Sequence, residues 1–302
     1  MTIAKYPSKL SLPQVNPGVT TVLAYLIATF PEIGAAVWQQ RAVDGKLHWH
    51  DGRLINAQST YKPQQRVYYY REVADEPVIP FAEQILFQDA HLLVAYKPHF
   101  LQVTPGGRYV NECLQNRLRS STGIDNLQAL HRLDRVTAGL VLFSINPETR
   151  HCYHRLFEAG QIEKTYQAIA RVGAGAGLGA EVPLSGQQWQ VSNRIEHASP
   201  RFLMRVVEGK ANSNSLIRCL QHSDDQALFE LQPHTGKTHQ LRLHMQTLGW
   251  PILHDRYYPT LQPQHADDYA KPLQLLAQQL RFIDPLTGLA REFHSDTELM
   301  LE

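Results

Sequence analysis

Residues 131–144 read His-Arg-Leu-Asp-Arg-Val-Thr-Ala-Gly-Leu-Val-Leu-Phe-Ser, a charged turn followed at once by an apolar run. The apolar run has the continuous hydrophobicity of a buried strand, and the Thr-Ala-Gly before it has the composition of a turn. Asp134 would be fixed in position at the mouth of that strand, and the neighbouring Arg132 and Arg135 would favour its ionised form by charge attraction. The pattern predicts either a catalytic nucleophile or base, or an Asp that only bonds the backbone of its own turn.

The length and composition are those of an ordinary globular protein. The chain has 302 residues, of which 43% are hydrophobic and 19% charged, so about two domains are expected. A formal net charge of +1 gives no overall attraction for a polyanion. Any binding of nucleic acid must therefore come from local basic patches.

The cysteines and the N-terminus bear on the cellular compartment. Cys113, Cys152 and Cys219 are odd in number and form no Cys-x-x-Cys, which argues against a disulfide framework and a zinc knuckle. Residues 1–14 are broken by polar residues and proline where a signal peptide would need an apolar core, and no later apolar run is long enough to span a bilayer. We expect a cytoplasmic protein with no membrane partner.

Residues 1–75 have a pattern of their own. Apolar residues recur at helical spacing over 22–30, a second short helix is predicted over 33–41, and small strands follow, including 66–70. This arrangement resembles the alpha-L RNA-binding domain often found at the N-terminus of RNA-modifying enzymes; the alternative is a packing or linker domain without RNA contact. The acidic segment 72–80, twice interrupted by proline, predicts a linker, so a second domain is expected over residues 80–302.

The second predicted domain mixes strands and helices. A hairpin is expected over residues 85–96, a covering helix over 109–119, and a helix from an N-cap at Asn146 to Gly160. A strand over 162–170 places Lys164 and Tyr166 on the same face because side chains alternate along a strand. Several further strands are predicted between residues 189 and 232, where Arg194, Arg201, Arg205 and Lys210 concentrate positive charge.

Residues 231–253 contain a bounded helix of about ten residues. Thr238 is the predicted N-cap and Gly249 the stop. His239 and Arg242 fall on one face by their three-residue spacing. His239 and His244 are five apart and point away from each other, unlike zinc ligands at four-residue spacing, so we predict no metal site. An arginine beside a glycine turn suits a carboxylate or phosphate partner.

Residues 173–180 contain a formal match to the dinucleotide-binding fingerprint, at Gly175-x-Gly177-x-x-Ala180. That fingerprint requires a strand before the glycines and a helix after them. Pro183 and Ser185-Gly186 stand where the helix would begin. We therefore exclude a dinucleotide site and predict a loop.

Three motifs together resemble the RluA-type RNA pseudouridine synthases. They are residues 131–140, the strand Lys-Thr-Tyr-Gln-Ala at 164–168, and Thr-Gly-Lys-Thr-His-Gln-Leu-Arg-Leu-His at 235–244, in the family's order and near its separations. Any one motif is weak evidence, whereas three together are specific. The similarity covers about residues 80–295. It implies an α+β fold, with a large mixed and mainly antiparallel sheet flanked by helices and an RNA cleft where the motifs meet.

The resemblance also implies a reaction and residue roles. The reaction is the isomerisation of specific uridines to pseudouridine in ribosomal or transfer RNA, without metal or cofactor. Asp134 would be the catalytic carboxylate, Tyr166 would lie against the target base, and Arg242 would pair with Asp134. Arg132 would fill the space left by the flipped nucleotide, since a stacked base is reached only by taking it out of the stack. Further RNA contacts are expected from Arg135, Lys164, Lys237 and His239.

Two other function classes remain open at this point. One is a catalytically idle RNA-binding or assembly factor on the same fold, against which the presence of all three expected catalytic residues speaks. The other is a carboxylate-dependent hydrolase, which would need a second acidic group or a metal nearby. Lys237 stands where the family commonly has arginine; it keeps the charge but loses a fork that binds phosphate bidentately. The target uridine and the oligomeric state are not predicted.

Overall fold

The computed structural model describes residues 1–173, 181–263 and 265–301, and the chain divides into two compact units. The fingerprint residues Gly175, Gly177 and Ala180 therefore lie outside the described residues. The smaller unit consists of Met1–Val78 and Pro105–Asn116, and the larger unit of Ile79–Thr104 and Arg117–Glu302. No helix in the described ranges is both long and apolar enough to cross a membrane.

The smaller unit is built from two short helices and small strands. Its elements are β1 (Thr2–Ile3), β2 (Ser8–Ser11), α1 (Val22–Thr29), a 3₁₀ turn (Pro31–Ile33), α2 (Ala35–Val43), β3 (Leu47–Trp49), β4 (Arg66–Tyr69) and β5 (Glu72–Val73). Thr21 caps α1 by accepting from the backbone N–H of Ala24, and the apolar faces of both helices enclose a core around Trp38. The two predicted helices are confirmed. Glu72 and Val73, predicted as linker, instead pair with β1.

The larger unit contains, within the described residues, one sheet of eleven strands. Its strands are β6 (Gln84–Gln88), β7 (Leu92–Lys97), β8 (Gln128–Ala129), β9 (Ala138–Ser144), β10 (Glu163–Arg171), β11 (Gln188–His197), β12 (Met204–Val207), β13 (Ser213–His222), β14 (Gln226–Pro233), β15 (Leu275–Ile283) and β16 (Ala290–His294). The main path runs β12-β11-β13-β14-β10-β15-β9-β7-β6. All of its neighbours are antiparallel except β9 and β15, which are parallel. The predicted large, mixed and mainly antiparallel sheet is confirmed.

Strand β9 lies inside this sheet between β7 and β15. All seven of its residues are buried, as its unbroken apolar run predicts. The residues before β9 are therefore held at the edge of a rigid, buried strand. This is the segment that carries Asp134.

The other helices in the described part of the chain are α3 (Leu114–Thr122), α4 (Arg150–Glu158) and α5 (Gln240–Thr247). The predicted start of a helix at Tyr109 is wrong: the Glu76 carboxylate instead accepts from the backbone N–H groups of Val110, Asn111 and Glu112 at 2.5–2.8 Å. Those N–H groups are held in a loop, and the helix begins only at Leu114.

Two predicted N-caps are also wrong. Asn146 accepts from the backbone of Glu148 in a local turn, and α4 begins only at Arg150. Thr238 does not cap α5, because His239 occupies the N-cap position with a left-handed φ of 57° and makes no side-chain cap bond. Ser, Thr and Asn compete for local backbone bonds in turns as well as at helix starts, so composition alone misplaces such boundaries.

Candidate active site

The three motifs meet because of the register of the sheet. Tyr166 on β10 lies opposite Leu231 on β14 and opposite Ala277 on β15, and Ala277 in turn pairs with Gly139 at the start of β9. These four paired residues lie side by side on β14, β10, β15 and β9. Their alignment brings together the loop before β9, the middle of β10 and the end of β14. These segments line an open cleft of about 660 Å³.

Asp134 is held in this cleft by Arg242 of α5. The Arg242 guanidinium donates from Nη1 to Asp134 Oδ2 at 3.3 Å, so the salt bridge expected from the resemblance is present. The Asp134 side chain is 28% exposed, whereas that of Arg242 is 2% exposed. One carboxylate face is therefore free to meet a ligand while the cation stays out of water.

Arg242 is oriented by a second carboxylate, Asp255. Its Nε and Nη2 donate to the two Asp255 oxygens at 2.7 and 2.6 Å, a bidentate geometry that fixes the guanidinium plane. Asp255 also accepts from the backbone N–H groups of Tyr257 and Tyr258. Burial opposes the charge of Arg242, but the attraction of Asp255 and then of Asp134 outweighs it and raises the pKa of Arg242. Arg242 is thus a permanent, immobile cation.

The buried Lys97 holds the loop that carries Asp134 in place by hydrogen bonds to backbone carbonyls. The Lys97 ammonium is fully buried and donates to the carbonyls of Pro98, Leu101 and Arg135 at 2.7–3.0 Å. Burial lowers the pKa of Lys97 well below its ordinary value, while the Asp134 charge opposes that shift. Three carbonyls from two loops therefore converge on one side chain.

Tyr166 lines the cleft and packs against the main core of the sheet. Burial, and then the charge of Asp134, raises the pKa of its phenol above the ordinary value, so the hydroxyl stays protonated at neutral pH. A β-bulge interrupts the β10–β15 pairing between Thr165 and Tyr166. Bulges re-aim the neighbouring side chain, and this one lies where the strand faces the cleft.

His239 lies between Asp134 and a tyrosine behind the cleft. Its Nε2 is 3.7 Å from Asp134 Oδ2, and its Nδ1 is hydrogen-bonded to the Tyr258 hydroxyl at 2.8 Å. Burial lowers the pKa of His239, against the attraction of Asp134. The neutral imidazole therefore contributes a polar wall rather than a second cation.

The glycine turn before α5 is shaped by Gln240. Its amide oxygen accepts from the Thr235 hydroxyl at 2.7 Å and from the Lys237 backbone at 3.0 Å, and its amide nitrogen donates to Asn214 and Ser215. Gln240 is 4% exposed. A buried amide with four satisfied bonds fixes the loop and leaves the Lys237 side chain exposed to the cleft.

The other residues predicted to contact RNA all line the cleft, but their surroundings differ. Arg132 is exposed, and Lys164 is half-buried with a pKa lowered by burial. Arg135 forms a bidentate ion pair with Asp267, both bonds at 2.8 Å. Arg135 is thus engaged by Asp267, while Arg242 forms an ion pair with Asp134.

Three residues of the site were not predicted as site residues. Asp255 and Lys97 lie outside the three motifs, and Gln240 lies within the third motif but had no predicted role. Asp255 lies 13 positions after Arg242, too far for a helical-spacing argument. A buried lysine followed by proline carries no charge signal that separates it from a surface lysine. Within the described ranges, no group of three or more His, Cys, Asp or Glu side chains has a metal-binding arrangement.

Known proteins with similar sequences share this region. A family model described as RNA pseudouridylate synthase matches residues 91–247. The chain is 31% identical to the dual-specificity RNA pseudouridine synthase RluA of Haemophilus influenzae, over 74% of this chain and 96% of that protein. It is also 31% identical to tRNA pseudouridine synthase C of Pasteurella multocida, over 68% and 87% of the two chains.

A longer match and a solved structure extend the comparison. Ribosomal large subunit pseudouridine synthase D of Vibrio parahaemolyticus is 25% identical over 93% of this chain and 88% of that protein. The structure titled human RNA pseudouridylate synthase domain containing 1 superposes with a TM-score of 0.58, at 22% identity, over 74% and 86% of the two chains. The structural likeness concerns the fold of the larger part of the chain.

Proposed function

We propose residue roles from one premise: the chain belongs to the RluA-type family of RNA pseudouridine synthases, isomerases that convert uridine to pseudouridine in RNA. The bond from uracil N1 to ribose C1′ breaks, the base turns, and C5 bonds to C1′. C5 then loses a proton and N1 gains one, so the reaction needs no redox partner or group donor.

Asp134 is the catalytic carboxylate that starts cleavage of the glycosidic bond. The observation that carries this role is the pairing of Asp134 with a cation that is itself locked on Asp255, while the carboxylate remains open to the cleft. A preorganised carboxylate of this kind needs no rearrangement when charge develops on the sugar. The alternative of a catalytically idle RNA-binding factor is not favoured, because Asp134, Tyr166 and Arg242 all line one cleft.

The other two catalytic roles follow from protonation state and position. Tyr166 lies against the target base and assists removal of the C5 proton at the end of the reaction by positioning the base, because a neutral phenol does not itself accept a proton. Arg242 is a positioning residue that acts through Asp134. The exposed Arg132 enters the base stack in place of the flipped uridine, which offsets part of the cost of extrusion.

RNA is further held by Arg135, Lys164, Lys237 and His239. Lys237 is exposed at the cleft and suits a phosphate contact, which positions RNA without reading its sequence. Arg135, bound to Asp267, would present only the remaining edge of its guanidinium to RNA.

The test of this assignment is tritium release from RNA labelled at C5 of uridine. We expect release by the wild-type protein and none by Asp134→Asn, with unchanged unfolding in urea. Asp224→Asn is the matched control, because Asp224 is exposed in the turn between β13 and β14, at the opposite end of both strands from the cleft. Full activity of Asp134→Asn would defeat the assignment.

Structured ribosomal or transfer RNA is the proposed substrate. The relatives at 25–31% identity are named for transfer RNA, for the large ribosomal subunit and for dual specificity. Carbodiimide-dependent primer-extension stops, mapped on total RNA from cells with and without the protein, test the choice. A stop that disappears from one RNA class in the deletion strain identifies the substrate, and an unchanged pattern contradicts the proposal.

The predicted domain division and location complete the proposal. Residues 1–75 are proposed as a separate alpha-L-like domain and residues 80–302 as the catalytic domain, although residues 105–116 of the latter belong to the smaller compact unit. Limited proteolysis with first cuts between residues 74 and 80, where Asp75 and Val78 are exposed, would support the boundary. Recovery of the protein in the cytoplasmic fraction would support a cytoplasmic location.

A further inference from the structure

The hairpin formed by β11 and β12 carries an exposed aromatic ring at its tip. Phe202 is 52% exposed in the loop between the strands, which is closed by hydrogen bonds from Ala198 to Leu203 and from Leu203 to Pro200. Arg201 precedes Phe202 and is also exposed. The loop tip thus presents an aromatic face next to a cation, the two side-chain types that stack on bases and bind phosphate.

The hairpin packs against α5 and against Tyr258, which contacts both His239 and Arg242. Ile195 and Met204, one from each strand, pack with Leu243 of α5 and with Tyr258. The Tyr258 hydroxyl accepts from the Met204 N–H at 3.0 Å and donates to the Met204 carbonyl at 3.1 Å. Because that hydroxyl also contacts His239, the tip has a defined position relative to the catalytic carboxylate.

A groove joins the hairpin to the catalytic cleft. It has a volume of about 570 Å³ and runs between the hairpin strands and the glycine turn. Gly236, Lys237 and Thr238 line both the groove and the cleft. A polymer bound in the cleft can therefore continue past Lys237 into the groove.

Ring contacts and charge at the hairpin tip, beside the groove, suit a nucleic-acid strand. The ring centroids of Phe202 and Tyr257 lie 5.3 Å apart. The Arg242 guanidinium lies over the Tyr257 ring, 4.8 Å from its centroid. Arg194 is paired with Glu196 at 2.6 Å, and the other basic side chains between residues 194 and 210, Arg201, Arg205 and Lys210, outnumber the one remaining acidic side chain, Glu208. Single-stranded RNA is bound by this combination of exposed aromatic rings and positive charge.

We propose that the β11–β12 hairpin is a second RNA contact, in which Phe202 stacks on an unpaired base near the target uridine and Arg201 binds phosphate. The inference rests on the proposed function, because the RNA reaches the hairpin from the catalytic cleft. It assigns part of the choice of target to unpaired nucleotides near the modified uridine.

The test compares Phe202→Leu with Phe202→Trp on C5-tritiated ribosomal and transfer RNA from cells that lack the enzyme. Leucine keeps apolar packing on Tyr257 but removes the stacking face. We expect Phe202→Leu to raise KM about 5- to 160-fold, the range for loss of one base–aromatic stack, with kcat unchanged. Phe202→Trp should keep a KM near that of the wild type. Phe293→Leu, the same exchange on β16, is the control and should change neither constant.

Binding of a short fluorescent oligouridine separates this proposal from the proposed function. If the wild-type protein releases no tritium, the proposed function fails, and weaker oligouridine binding by Phe202→Leu would still support the hairpin contact. Arg201→Gln should reduce the slope of log affinity against log salt by about 0.7, as expected for one lost phosphate contact on a single strand. Equal KM and equal oligouridine affinity for wild type and Phe202→Leu, or an equal loss in Phe202→Trp, would overturn the proposal.

Discussion

Arg242 is shared between two carboxylates, and we expect its partner Asp255 to matter for stability as well as for activity. In Asp255→Asn the buried guanidinium loses its bidentate counter-charge. Breaking a buried ion pair by removing one partner costs about 3–5 kcal/mol. We expect a loss of that size in the free energy of unfolding in urea, together with a fall in kcat for tritium release as Arg242 shifts away from Asp134.

Asp51→Asn is the matched control for this prediction. Asp51 forms the same kind of pair with Arg53, but both side chains are more than half exposed, and exposed pairs contribute little. We expect no measurable change in unfolding. Equal stability of Asp255→Asn and the wild type would show that the Arg242–Asp255 pair is not needed to hold the site.

Lys97 gives a prediction about the loop beneath Asp134. Lys97→Met leaves three carbonyls without their donor, and a buried acceptor without a partner costs about 1–3 kcal/mol. We expect lower stability and a lower kcat with little change in KM, because the loop that carries Asp134 loosens while the RNA surface stays intact. Lys271→Met, at an exposed lysine, should leave both constants unchanged. A changed KM with an unchanged kcat would contradict this interpretation.

At this scale the sequence predicts the residues that face the substrate better than those that support them. Asp134 and Arg242 lie in motifs whose charged residues and glycine turns can be recognised in the sequence. Asp255 and Gln240 act through bonds to residues brought near by the fold, and their side-chain types are also common in turns and on helix surfaces. A salt bridge over 108 positions, such as Arg242 to Asp134, was reached only through the resemblance.

Among the elements, β9 depends on a glycine at its parallel contact with β15. Gly139 has a φ of +117°, and a Cβ there would collide with the backbone of Ala277. Ala where φ is positive destabilises by more than about 1 kcal/mol, and the collision adds to this. We expect Gly139→Ala to lower the free energy of unfolding by clearly more than that amount and to reduce activity, since the turn after Asp134 leads directly into β9.

Gly288→Ala is the comparison that separates the cost of a positive φ from the cost of the collision with Ala277. The Gly288 φ of +72° is also left-handed, but a Cβ there would meet nothing within 4 Å. Gly288→Ala should therefore carry the backbone penalty alone. Equal destabilisation by the two substitutions would mean that the close approach of β9 and β15 is not what requires Gly139.

Strands and helices with an unbroken apolar pattern were predictable, whereas their ends were not. The buried strand β9, which ends at Ser144, follows from composition alone. The start of α5 does not, because Gln240 bonds Thr235 and Lys237 and the chain turns through a left-handed His239. Such bonds form only once Asn214 and Ser215 of the neighbouring strand are in place. Helix boundaries here are decided by tertiary contacts that local propensity does not contain.

For the larger unit as a whole, three histidines predict a loss of stability in mild acid: His244 is buried, and His99 and His131 are half-buried. Burial lowers the pKa of His99 to about 4, of His131 to about 3 and of His244 to about 4. A histidine in the unfolded chain has a pKa of about 6.5. Below that pH the unfolded chain therefore binds more protons than the folded chain, and stability falls as the pH drops from about 6.5 towards 4. Above about pH 6.5 the stabilising effect is complete.

Each histidine should contribute about 2 kcal/mol of this loss between pH 7 and pH 5. His244 is the clearest to test, because its ring bonds Ser213 and Asn193 and glutamine can replace those bonds without titrating. Urea unfolding at the two pH values should show a smaller loss in His244→Gln than in the wild type, by about that one contribution. An identical loss in both proteins would mean that His244 takes up its proton without unfolding, and that acid sensitivity arises elsewhere in the unit.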